Sequence, residues 1–141
     1  MFLHTDDYKV VCTPADLDII SQSDDNIRKQ AEQTAIEEVS GYVRSRYDIA
    51  EAYKANGTDR NPLLVQITVS IALYYLGMWL PSFMGNETRE LLYNNAIARL
   101  RDIQKGAFTP DFPRYTDEDL GGKKQGDSVR YGSMRPSRYD Y

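Results

Sequence analysis

The chain has 141 residues, 41% of them hydrophobic, and a net charge of −4; a single domain with its own core is expected, and a general phosphate-gripping surface is disfavoured. Its one cysteine, Cys12, excludes a disulfide framework and a cysteine zinc cluster, and a reducing compartment is the natural setting. The opening Met-Phe-Leu-His-Thr-Asp-Asp lacks the basic region and apolar core of a signal peptide.

Residues Met1 to Cys12 alternate loosely around Tyr8-Lys-Val-Val-Cys12, which predicts an extended arm or a brief strand-like lead-in. Thr13-Pro14-Ala15-Asp16 supplies an N-cap, a first-turn proline and an acid, so a short helix should run to about Ile20 with Leu17 and Ile20 buried. A second helix starts at Asp24 or Asp25 and carries Ile27, Ala31, Ala35, Val39 and Tyr42 or Val43 at spacings of three and four, with Ile36 and Tyr47 widening the stripe. Arg28, Lys29, Glu32, Glu37 and Glu38 read as its solvated face, with Arg28 and Glu32 as an i,i+4 pair. Asp48 to Arg60 contains Asn56-Gly57, loses the period and is expected to be a loop.

Between Leu63 and Leu80 there is no charged side chain. Asn61 is placed to cap this run and Pro62 to start it, and Pro81 closes it. At about 1.5 Å per residue the rod is roughly 27 Å long, close to the thickness of bilayer hydrocarbon. Gln66, Thr68 and Ser70 in its first half and the absence of a flanking Lys/Arg cluster point instead to the central, nearly all-round buried helix of a bundle. Asn86 is expected to cap a last helix with Leu91, Leu92, Ala96, Leu100 and Ile103 inward and Gly106 as its stop. The fold class is therefore all-α: about four helices in residues 1–106 around the helix 62–80, with an extended N-terminal arm and an extended C-terminal docking tail over 107–141.

No catalytic constellation is present in the sequence, no cofactor is implied, and the chain is not expected to be an enzyme. His4, beside Asp6 and Asp7, reads as a surface imidazole, and Cys12 as a small buried residue. Gly121-Gly-Lys-Lys-Gln-Gly lacks the spacing of a phosphate loop, and Asp117 to Asp119 lack the glycine-punctuated frame of a calcium loop. The end of the chain differs. Arg130, Tyr131, Met134, Arg135, Arg138, Tyr139 and Tyr141 interleave the residue types most enriched at binding hot spots, which favours a docking arm for a protein partner. A solvated tail and a single-stranded nucleic-acid contact through stacking and charge are the alternatives.

In order and spacing the chain resembles the head-tail connector (adaptor) proteins of tailed bacteriophages, in particular the Mu-like group and its relatives in prophages of gut Bacteroidetes. The resemblance covers about residues 2–110. It rests on Phe2-Leu3 with Asp7-Tyr8, Glu37-Glu-Val-Ser-Gly-Tyr-Val-Arg-Ser-Arg-Tyr-Asp48, Asn61-Pro-Leu-Leu64 leading to Ile71-Ala-Leu-Tyr-Tyr-Leu76, and Ala98-Arg-Leu-Arg-Asp-Ile-Gln-Lys-Gly106. It implies a ring, commonly of twelve copies, under the portal protein at the virion neck, assembled in the host cytoplasm. The C-terminal extension would reach the portal or a neighbouring copy, and a stopper or tail protein would sit on the bundle. Genomic DNA would pass through the lumen without sequence-specific binding, and no membrane is involved. The family has no catalytic residues to carry over.

Overall fold

A computed structural model describes residues 2–10, 17, 24–78 and 86–116. The helices are α1 (Asp25–Val43), α2 (Ile49–Ala52), α3 (Pro62–Met78) and α4 (Asn86–Lys105), with 3-10 helices at Thr5–Val10 and Gly57–Asp59. Among the described residues there is no strand, and the all-α expectation holds. Helices α1, α3 and α4 pack on one another, the first 3-10 helix lies on α3, and α2 lies against α1.

The predicted start signals are realised in atoms. The Asp24 side chain accepts from the Asn26 amide at 2.8 Å and opens α1. Asn61 Oδ1 accepts from the amides of Leu63 (2.9 Å) and Leu64 (3.2 Å), so two of the orphan donors of α3 are satisfied before its first turn ends. Every residue from Ile67 to Leu73 is buried. Seven consecutive positions are almost two turns, so this middle stretch of α3 is enclosed on all sides. Its hydroxyls are hidden by bonding back: Thr68 Oγ1 donates to the Leu64 carbonyl at 2.7 Å and Ser70 Oγ to that of Gln66 at 2.9 Å.

Gly106 ends α4 at φ +85°, a conformation that favours glycine. The Ala107 amide then reaches the Asp102 carbonyl (2.9 Å) and the Gly106 amide that of Ile103 (3.1 Å), the paired bonds of a Schellman stop. Arg46 Nε donates to the Gln104 carbonyl at 2.9 Å and covers a further helix-end acceptor.

Five expectations are corrected. The N-terminal arm is a 3-10 helix over Thr5–Val10, because the Asp7 amide donates to the His4 carbonyl (3.0 Å) while the His4 amide donates to the Asp7 carboxylate (2.7 Å), closing a turn that alternation alone does not disclose. Within the expected loop, Asp48 caps the short helix α2 through the Glu51 amide (3.3 Å), and a 3-10 turn follows at Gly57–Asp59. Leu91, expected inward, is 59% exposed. Glu32 and Glu38, expected on a solvated face, are 1% exposed and half-buried respectively. Of the short helix expected up to Ile20, Leu17 is helical and buried, as anticipated, and the remainder lies outside the described residues. Asn86, the expected cap, is already within α4.

Candidate functional site

Every residue singled out for partner binding, from Arg130 to Tyr141, lies outside the described residues, as do Cys12, the Asp117–Asp119 run and the Gly121 segment. His4 is exposed. The described residues instead bring together polar groups that come from distant parts of the chain.

Glu32 sits on α1 three residues before Ala35 and seven before Val39, in phase with the buried face. Its Oε2 accepts from the Tyr8 hydroxyl at 2.6 Å. Arg28 Nε lies 3.6 Å from that oxygen, too far to bond, and among the described residues both Arg28 Nε and Glu32 Oε1 are buried without a hydrogen-bond partner. Burial raises the Glu32 carboxyl above its ordinary value; the Tyr8 hydrogen bond and the Arg28 charge oppose that rise. Burial, then the Glu32 charge, likewise lifts the Tyr8 hydroxyl far above the usual tyrosine range, so it stays a donor.

Beside it, Arg60 clamps the same 3-10 helix. Its Nη1 and Nη2 donate to the two Asp7 oxygens at 2.6 and 3.1 Å, its Nη1 to the Phe2 carbonyl at 2.8 Å and its Nε to the Gly57 carbonyl at 2.9 Å. Burial alone would raise Asp7, but the Arg60 and His4 bonds outweigh it and hold the carboxyl below its ordinary value. Phe2 fixes the other end, packed edge-on against Tyr53 at 4.7 Å.

At another place on α1, Glu38 accepts from two tyrosines: Tyr75 of α3 bonds one carboxylate oxygen and Tyr93 of α4 the other, the latter at 2.8 Å. One acid thereby ties three helices together. Tyr74 stacks on Tyr93 with ring centroids 3.9 Å apart. Burial and then the Glu38 acceptor push Tyr75 up to about 12 and raise Tyr93 as well, so both remain protonated donors near neutrality.

Residues 107–116 run back along the bundle. Phe112 is buried, edge-on to Tyr47 at 5.5 Å; the Pro113 carbonyl accepts from the Asp48 amide at 2.9 Å, and the Asp111 carbonyl from Asn61 Nδ2 at 3.1 Å. Tyr115 donates its hydroxyl to the Arg44 carbonyl at 2.7 Å. Where this strap meets α2 and the start of α3 it walls a cleft of about 470 Å³, whose lining includes Glu51, Asp59, Asp111 and Phe112.

What these arrangements offer is fixed geometry and surface. The acids Glu32, Glu38 and Asp7 are held as acceptors by named donors, and among the described residues no group of three His, Cys, Asp or Glu side chains is placed to hold a metal ion. Sequence reasoning missed the Tyr8–Glu32 and Tyr75–Glu38–Tyr93 contacts, because an acid on a helix gives no local sign of a tyrosine from another element. The phase of Glu32 with Ala35 and Val39 was the one usable signal.

No curated protein and no solved structure gives a significant match to the chain. A family model described as Bacteriophage Mu, Gp36 matches residues 5–126, which is most of the chain, and the protein therefore belongs to the bacteriophage Mu Gp36 family.

Proposed function

We propose that this phage structural protein is a head-tail connector. Copies of the bundle form a ring, twelve in the commonest arrangement, beneath the portal protein at the virion neck. The basic C-terminal arm docks on the portal or a neighbouring copy, and the next neck or tail component seats on the bundle. Genomic DNA passes through the lumen without sequence-specific contact, and the chain has no catalytic task. The observation that carries this reading is the phage family match over residues 5–126.

Two further features support it. Residues 1–119 carry a net charge of −7, which suits a lumen wall past which phosphates slide. Among the described residues no helix is long and apolar enough to cross a membrane. The deciding experiment is co-expression with the portal protein of the same phage, followed by electron microscopy with the rotational symmetry counted. A ring seated on the portal is the expected result. A chain that remains apart from the portal, or that enters the virion elsewhere, overturns the reading. Tight, strongly salt-dependent binding to DNA or RNA that disappears on deleting Val129 to Tyr141 would instead establish the nucleic-acid alternative.

A further inference from the structure

The cleft beside the C-terminal strap has an apolar floor and an acidic rim. Phe112 and Ala52 are buried in its floor, and Glu51, Asp59 and Asp111 stand exposed around it. Arg60, the cation in its lining, is directed inward, bonded to Asp7, the Phe2 carbonyl and the Gly57 carbonyl. Lys54 reaches Glu51 at 3.4 Å and offsets that charge, so Asp59 and Asp111, which form no ion pair among the described residues, carry the rest of the acidic rim. The cleft therefore suits an occupant that is cationic and partly aromatic.

The chain contains one such segment. Residues 120–141 hold the cations Lys123, Lys124, Arg130, Arg135 and Arg138 against Asp127 and Asp140, a net of +3, while residues 1–119 carry −7. From Val129 onward the arginines alternate with Tyr131, Met134, Pro136 and Tyr139, which offer flat surface to a floor such as Phe112 and forked donors to carboxylates. The described chain ends at Thr116, three residues beyond Pro113, which itself lines the cleft. From there to Val129 the intervening residues 117–128 include Gly121, Gly122 and Gly126. Twelve residues reach about 40 Å at most, ample for a return.

We propose that in the free subunit residues 129–141 dock into this cleft of their own chain, arginines on Glu51, Asp59 and Asp111 and tyrosines over the Phe112 floor. The short tether favours the chain's own arm over a neighbour's, because it holds the segment at an effective concentration of about the millimolar order. This inference goes beyond the connector reading and stands without it. If the protein is a connector, cleft and portal compete for one arm, and the arm is withheld from other surfaces until the portal displaces it.

The test compares amide NMR spectra of the full-length chain with those of the full-length Arg130→Ala/Arg135→Ala/Arg138→Ala variant. Resonances of residues 51–62 and 111–113 should shift on losing the arginines while those of α4 stay in place. The difference should be the same after tenfold dilution and fade towards 1 M salt, where the screening length is about 3 Å. A Glu51→Gln/Asp59→Asn/Asp111→Asn chain should move the resonances of residues 129–141 to the positions they take at high salt. Absence of any shift at the cleft overturns the proposal. So does a shift that vanishes on dilution, which would assign the arm to a second copy. Portal binding is not part of this readout, so its failure and that of the connector reading are distinguishable.

Discussion

Tyr8→Phe is the most informative single change, because it removes one oxygen and leaves an acid stranded. Among the described residues Glu32 has one hydrogen bond, from Tyr8 at 2.6 Å; its other oxygen has none, and Arg28 Nε at 3.6 Å cannot replace the loss. A hydrogen bond to a charged group contributes about 1.5–3 kcal/mol. For a chain of 141 residues that corresponds to a fall in Tm of about 5–10 °C. In a Glu32→Gln background the same change removes only a neutral bond, about 1 kcal/mol, so the double-mutant cycle should show a coupling of about 0.5–2 kcal/mol. The pH dependence follows from the raised carboxyl. A folded-state value above the unfolded one contributes stability that is complete below the ordinary value of 4.5 and is lost as pH rises through the folded value. Because the Tyr8 bond holds that value down, Tyr8→Phe extends the loss to higher pH, and its deficit should be larger at neutrality than near pH 4.5. Urea melts of the four chains at both pH values measure this. A deficit under about 0.5 kcal/mol, or one equal at both pH values and in both backgrounds, would refute the account of Glu32 as a buried acid held by one tyrosine.

Asp7→Asn should cost about 3 kcal/mol at neutral pH by leaving Arg60 without its carboxylate. Asp7 is held below 3.8, so its contribution is present above that value and lost as pH falls through the folded value; the deficit of the variant should therefore vanish in acid melts. Phe112→Ala should destabilise by about 3–5 kcal/mol and, by loosening the strap, remove hydrogen-exchange protection from the Asp48 amide that the Pro113 carbonyl accepts. Leu91→Ala should stay within about 0.5 kcal/mol of the parent in a urea melt while Leu100→Ala costs about 2–5 kcal/mol, the contrast expected of a residue 59% exposed and one fully buried on the same helix.

The last pair shows why the fold was legible in its elements and less so in its contacts. Helix α3 announces itself by an uncharged run with Asn61 and Pro62 at its head, a local signal that nothing else in the chain overrides. Leu91 and Leu100 look alike as apolar residues of one helix, yet nine residues are two and a half turns, which puts them on opposite sides. Phase alone therefore corrects Leu91, and phase with Ala35 and Val39 likewise betrays Glu32. The second class of feature has no such signal. Tyr8 meets Glu32 across 24 positions, Arg60 meets Asp7 across 53 and Tyr93 meets Glu38 across 55. Each contact exists because separately stable elements are brought together, and each side chain read by itself is an ordinary tyrosine, arginine or acid. The cleft is of this second class: its rim draws Glu51 from α2, Asp59 from a 3-10 turn and Asp111 from the strap. Only the arm proposed to fill it was visible in the sequence, as charge and aromatic residues with almost no aliphatic residue nearby to bury. If the arm fills this cleft, one half of the recognition chemistry is written locally in the sequence, and its complement is a surface that forms only once the bundle has folded.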